Sequence, residues 1–327
     1  MLNSFSTIQS LAKYNNSLTS LYYLLGQTAN TSNINTTLPI TSMTSSNDGT
    51  IILISIYGLQ NTKQGLWRSV NSGSTFTNVY TGKDNFVGIS ISTNNQYMFV
   101  CCQNIGRIYY SINSGVNWTV NNFGSNISSI VCDSTGQYVY ASDFSSGNIY
   151  QSTNYGSSFS IISSASAGMN TNIINLVYIQ STNTILYTSS ANGKVYTYKI
   201  SQGTLSSYNP SSSYTNCSAL ACSLDGTKIY ITYYGVSSNQ LYYSLNSGTN
   251  WSNTTIASSI NNFANVVCSP DGMYVYATSN NILYYSSNFG QSFNSRTLTS
   301  FTSINGTMNR NQSILYLSGS SGFSISK

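Results

Sequence analysis

Asp84, in TGKDNF, and Asp143, in ASDFSSG, are the two carboxylates of this 327-residue chain that stand where they could serve hydrolysis. Glycoside cleavage needs only two such groups, about 5–9.5 Å apart, one as acid and the other as base or nucleophile. The remaining acids, Asp48, Asp133, Asp225 and Asp271, fall in short turns, where a carboxylate normally bonds the backbone of its own turn. There is no glutamate and no histidine among the 327 residues. The commonest general bases and metal ligands are therefore missing. Asp84 and Asp143 read as solvated loop acids. No enzyme activity, no metal site and no cofactor is expected.

The cysteines offer no other chemistry. No pair has the C-x2-C spacing of a zinc knuckle, and no G-x-x-x-x-G-K-[ST] phosphate loop is present. Cys132, Cys222 and Cys268 occupy one position in different copies of a repeat, so all three face the same way. Cys101 and Cys102 are neighbours, and adjacent strand residues point to opposite sides. The six cysteines are expected to be buried free thiols.

The elements that position these residues repeat. The stretches SVNSGSTF, SINSGVNW, STNYGSSF, SLNSGTNW and SSNFGQSF share the pattern S-x-N-x-G-x-x-[FW]. Their glycines are Gly73, Gly115, Gly156, Gly248 and Gly290, so the spacings are 42, 41, 92 and 42. A degenerate copy around Gly203 divides the gap of 92 into 47 and 45. A second element, VVCSPDGMYVYATS, resembles IVCDSTGQYVYASD and LACSLDGTKIYITY; each is an apolar run, a tight turn and a second strand. With LYYS-type third strands and a fourth strand after the S-x-N turn, each unit holds four strands. Periods near 42 with four short strands indicate blades of a β-propeller.

The repeated turn resembles the Asp-box, or BNR repeat, of sialidase-like and sortilin-like propellers. Asn71, Asn113, Asn154, Asn246 and Asn288 stand where that family usually has aspartate. The resemblance implies a hairpin on the rim away from the ligand face. There Gly73, Gly115, Gly156, Gly248 and Gly290 reverse the chain, and Phe76, Trp118, Phe159, Trp251 and Phe293 plug the space between blades. Counting the units then gives the expectation of an all-β, seven-bladed propeller of four-stranded antiparallel blades in a single domain. Six blades span residues 40–300, and residues 301–327 supply three strands of a seventh. Residues 1–12 are expected to close it, with residues 13–39 as a polar excursion.

The sialidase chemistry of that family requires converging arginines and a Tyr/Glu pair. Arg68, Arg107, Arg296 and Arg310 fall on third strands, a fourth strand and a turn, and no glutamate exists to pair with any of the 28 tyrosines. The loops on the opposite, funnel face gather Asp84, Asp143, Phe144, Asn192, Tyr233, Tyr234 and Asn239. Aromatic rings with neutral amides suit a glycan.

Only 5% of residues are charged, and the net charge of +5 comes from eleven scattered Lys and Arg against six Asp. Nucleic-acid binders cluster their basic residues, so nucleic acid is not an expected partner. MLNSFSTIQSLAKYNN lacks the basic and apolar regions of a secretory signal, and no stretch approaches about 20 apolar residues, so membrane insertion is not expected. An uncharged surface rich in Asn, Ser, Thr and Tyr is similar in style to proteins of large DNA viruses. The expected role is a non-catalytic structural propeller at the surface of a virion or other assembly, contacting other structural proteins. The alternative is a glycan-binding module using the upper loops, and glycoside hydrolysis ranks below both.

Overall fold

Each unit of the repeat folds as an antiparallel sheet whose strands pair in sequence order. The computed structural model describes residues 40–56, 64–103, 105–163, 172–211, 214–234, 241–254, 256, 263–279, 281–297, 305–308, 315–319 and 322–326. Residues 1–39, including the expected closing strand 1–12 and the excursion 13–39, lie outside the described residues. Blade 1 comprises Ile40–Ser45, Ile52–Ile56, Gly65–Ser69 and Thr77–Tyr80. Blades 2 to 6 repeat this order, with first strands Phe86–Ile91, Ile127–Cys132, Ile173–Ile179, Cys217–Cys222 and Phe263–Cys268. These first strands touch one another in succession around a common axis, so they are the inner strands.

The expectation of seven four-stranded blades is corrected here. Six blades have four strands, whereas Asn305–Met308, Leu315–Gly319 and Gly322–Ser326 form a sheet of three. Asn305–Met308 lies against the inner strands of both blade 6 and blade 1. Among the described residues no fourth strand pairs with Gly322–Ser326.

The second strand of every complete blade is buried along its whole length. Sequences such as ILISI and MFVCC are apolar without alternation because neighbouring blades cover both faces. Outer strands such as Thr119–Asn122 and Thr204–Tyr208 are mostly exposed and polar. Five of the six apolar clusters combine residues of two consecutive blades. Burial of each large aliphatic chain in them stabilises the fold by about 1.5–3 kcal/mol. Hydrogen bonds also cross between blades: Tyr230 Oη donates to the Gly272 carbonyl at 2.7 Å and Tyr233 Oη to the Gly193 carbonyl at 2.8 Å.

All six cysteines are free, and four are buried. Burial pushes the Cys101, Cys217 and Cys222 thiols up to about 12, far from the thiolate that metal binding or nucleophilic attack requires.

Candidate functional site

The two ends of the molecule differ in kind. At the lower end the S-x-N-x-G turns form one hydrogen-bonded device built five times. In blade 2 the buried Ser111 hydroxyl donates to Asn113 Oδ1 at 3.0 Å and accepts from the Gly115 N–H at 2.8 Å. Asn113 Oδ1 also accepts from the Asn117 N–H at 2.9 Å. Asn71, Asn154, Asn246 and Asn288 repeat these contacts with Ser69, Ser152, Ser244 and Ser286. The residue before each glycine and the glycine itself both have positive φ, as Ser114 at 59° and Gly115 at 75° show. These two residues form the centre of a tight turn, closed by the Val116 N–H donating to the Asn113 carbonyl at 3.2 Å, inside the longer loop between the paired residues Tyr110 and Thr119. Trp118, Phe159, Trp251 and Phe293 pack into the clusters shared with the preceding blade, and Phe76 into that of blade 1. The serine that opens each turn is its donor and acceptor hub.

The same end consumes four aspartates. Ser46 donates to Asp48, and Asp48 accepts from the Thr50 N–H at 3.0 Å. Asp225 and Asp271 do the same with Ser223 and Ser269. In blade 3 the roles are exchanged: Thr135 is the donor and Asp133 takes the serine's place. Burial raises the Asp48 and Asp225 carboxyls, but hydrogen bonds from Ser46, Thr50, Ser223 and Thr227 outweigh it and hold both below the usual range.

The upper end carries the connections between second and third strands and the crossovers between blades. Asp143 closes Val139–Asp143 and is buried; its Oδ1 accepts from the Ser145 and Ser146 N–H groups at 2.8 and 3.2 Å. It caps its own loop. Asp84 is not the solvated acid its sequence suggests, since its side chain is only 14% exposed. Tyr109 Oη donates to it, Arg107 Nη1 lies 3.4 Å away, and Tyr80 Oη donates to Tyr109 at 3.1 Å. Burial, reinforced by the bond to Asp84, pushes the Tyr109 phenol far up. A nucleophilic tyrosine needs the opposite shift.

The remaining residues singled out in the sequence divide. Tyr234 is 55% exposed and Phe144 is half-buried. Tyr233 is fully buried, so it does not meet solvent; its aromatic ring belongs to the core of blades 4 and 5. Asn192 spends its carboxamide on the Lys194 N–H and the Tyr196 hydroxyl. Asn239 lies outside the described residues.

The sequence reading overlooked a second regularity at this end. Asparagine directly precedes five of the inner strands: Asn85, Asn126, Asn172, Asn216 and Asn262. The first four, which lie among the described residues, offer their backbone carbonyls to the residue that follows the second strand of the blade, respectively Gln103, Phe144, Ser190 and Tyr234, at 2.8–3.0 Å. After each of the four comes a buried anchor, Phe86, Ile127, Ile173 or Cys217. One residue further, the pairing of each inner strand with its neighbour shifts by a bulge, as it also does in blades 1 and 6. The bulges border an axial cavity of about 200 Å³ lined by Thr41, Ser42, Asn175, Ser218 and Asn265 together with small and apolar groups. Among the described residues no charged side chain lines it. The motif DNF, SNI, TNI, TNC, NNF was visible in the sequence, its asparagine one residue ahead of five inner strands.

No protein-family model and no curated protein sequence matches the chain. Solved structures do match. The chain is similar to YCF48 bound to D1 peptide, with a TM-score of 0.66 and 15% identity over 89% of this chain and 91% of that one. It is similar to the Cps50 (Swd1) β-propeller domain of Myceliophteria thermophila, with a TM-score of 0.70 and 12% identity over 88% and 96%. The fold is a β-propeller. It also matches the GH74 enzyme of Niastella koreensis, with a TM-score of 0.65 and 16% identity over 88% of this chain but 51% of the enzyme. At these identities the likeness concerns fold alone, and binding and enzymatic propellers stand side by side among the matches.

Proposed function

We propose that this chain is a non-catalytic propeller of the Asp-box type, acting through contacts with other proteins at the surface of a larger assembly such as a virion. One observation carries the reading: each of the six aspartates is already committed to the fold. Four hold lower turns, Asp143 caps its loop, and Asp84 is held by Tyr109 and Arg107. Two-carboxylate hydrolysis requires an acid and a base both free to reach the scissile bond, and no such pair remains. The Asn-for-Asp exchange in five turns supports membership of the Asp-box type, since the amide oxygen makes the bonds a carboxylate would make. The similar structure titled as bound to a peptide supports a protein-contacting role.

Crosslinking of the chain in its native source, followed by identification of partners and of cofractionating particles, tests this reading. Stable crosslinks to structural proteins of one particle are expected. A chain recovered only as a free monomer, or one that cleaves a fluorogenic glycoside in an Asp84-dependent manner, overturns it.

A further inference from the structure

We infer that Tyr97 and Tyr155 form an oxidative modification site, at which a one-electron oxidant joins blades 2 and 3 through a carbon–carbon dityrosine bond. The inference does not rest on the proposed assembly role. Tyr97 directly precedes the second strand of blade 2, and Tyr155 precedes the turn glycine Gly156 of blade 3, so both stand at the lower end. Their rings stack across the seam between the blades, with centroids 4.5 Å apart and planes inclined by 25°. Both residues are half-buried, so the pair also meets solvent. Tyr187 and Tyr196 stack as well, at 5.0 Å and 10°, but both are buried in the core.

The two blades hold the pair from both sides. A Cβ on Gly136, in the lower turn of blade 3, would come within 2.6 Å of Tyr97 Cβ, so this glycine makes the room in which Tyr97 lies. Beside it the Thr93 N–H donates to the Ser134 carbonyl at 2.9 Å and ties the lower turn of blade 2 to that of blade 3. Tyr155 closes over the ring from the other side. It does so with a φ of 58°, where a bulky side chain is an outlier; blades 1, 2 and 5 carry Ser72, Ser114 and Ser247 at the same position. Blade 6 repeats the arrangement without the phenols, with Lys228 against Gly272 and Phe289 in the place of Tyr155. The two hydroxyls lie on the same side of the stack: partial burial, then interaction with the Tyr155 phenol, raises the Tyr97 phenol above its ordinary value. Rings aligned in this way bring their ortho carbons side by side.

In the coupling each phenol loses one electron and its hydroxyl proton, giving two phenoxyl radicals. The radicals join through ring carbons ortho to oxygen, and the hydrogens on those carbons move to the oxygens, restoring both phenols. In sum one C–C bond forms, and two electrons and two protons leave. The oxidant is of the class of a peroxidase's ferryl haem, through which one hydrogen peroxide takes up those electrons and protons and becomes two waters. Holding the rings in contact makes the coupling unimolecular, so it outruns encounter between two chains. Partial exposure leaves the rings room to turn from stacked to edge-joined.

The test treats the full chain at low concentration with a haem peroxidase and hydrogen peroxide. A second arm uses photo-oxidation by a ruthenium tris-bipyridyl complex with persulfate, which applies the same one-electron chemistry without a protein partner. The monomer is isolated by size exclusion and read by dityrosine fluorescence and by mass spectrometry of its peptides. A peptide pair joining Tyr97 to Tyr155, lighter than its two parts by two hydrogens, is expected in at least one arm. Tyr97→Phe and Tyr155→Phe keep a stacked ring and remove one phenol, and each should abolish the monomer's dityrosine signal. Either variant decides the matter if the other folds poorly. A monomer without dityrosine in both arms, a link that maps to other tyrosines, coupling confined to pairs of chains, or a signal that the folded variants leave intact would each overturn the inference.

Discussion

At the scale of single residues, neutral groups do what charges do in most proteins of this size. The hydroxyl of Ser111 is buried and serves three partners, donating to Asn113 Oδ1 and accepting from the Asn113 and Gly115 N–H groups. Ser111→Ala leaves the Gly115 N–H buried without an acceptor, a loss of about 1–3 kcal/mol. Thermal unfolding should show this as a fall of roughly 1.5–4.5 °C. Asn113→Asp restores the carboxylate of the Asp-box pattern and keeps both acceptor contacts, so its effect should stay within about 0.5 kcal/mol. If the aspartate variant loses as much as the alanine variant, the amide hydrogens of Asn113 carry a role that the geometry does not display. The asparagine and the glycine of these turns were legible from spacing alone, but the residue that shares the reversed backbone with the glycine, Ser114 in blade 2, Tyr155 in blade 3 and Phe289 in blade 6, carries no such mark in the sequence. The opening serine was visible in the same pattern, but its burial and threefold bonding emerge only once the hairpin closes.

At the scale of elements, protection should be graded from the second strand outwards. Met98–Cys102 and Ile229–Tyr233 are buried throughout, whereas Thr119–Asn122 and Thr204–Tyr208 lie at exposed edges. Amide hydrogen exchange should accordingly be slowest in the second strands and fastest in the outer ones. Uniform exchange across a blade would contradict a core shared mainly by inner and second strands. The strands themselves were readable because period-42 repetition multiplies weak local signals fivefold. Three features were not. The bulge in each inner strand is a one-residue slip that leaves composition untouched, so Thr41, Ser128 and Ser218 gave no sign of it. In blade 4 the short 3-10 helices Gln180–Thr182 and Ile200–Gln202 replace both lower turns, ending at Asn183 and Gly203 with positive φ. Gly203 had been aligned correctly with the repeat, but the helical turn before it has no counterpart in the other copies. Asp84 looked like a loop acid because its partners, Arg107 and Tyr109, lie across the blade rather than beside it in sequence.

For the whole molecule, the response to pH follows from which groups titrate. With no histidine, stability should be nearly flat from about pH 5.5 to 7.5. On the acid side, Asp48 and Asp225 have depressed folded-state values, so their contribution is complete above the ordinary carboxylate range and is lost as pH falls through it. On the alkaline side the sign reverses. Burial raises the phenols of Tyr109, Tyr140, Tyr187, Tyr230, Tyr233 and Tyr276, so the unfolded chain sheds protons that the folded chain keeps. Stability therefore falls as pH rises through about 10, by about 1.4 kcal/mol for each such phenol per pH unit. The six together match the 5–15 kcal/mol of a typical fold near pH 11. A pH titration followed by tyrosine absorbance and circular dichroism should show ionisation of these phenols coinciding with cooperative unfolding. Smooth titration of all tyrosines near pH 10, with the fold intact, would refute it.

The aromatic plugs have a consequence for synthesis. Trp118 belongs to blade 2 but fills a cluster that includes Leu53 and Leu66 of blade 1, and Phe159, Trp251 and Phe293 stand in the same relation to the blades before them. A blade emerging from the ribosome thus has an open flank until its successor's turn arrives, about 42 residues later, judged from Gly73 to Gly115. At 5–20 residues per second that delay is roughly two to eight seconds. The nascent chain carries one unfinished, sticky flank along its whole length, always at the newest blade, and hands it forward each time a plug drops into place.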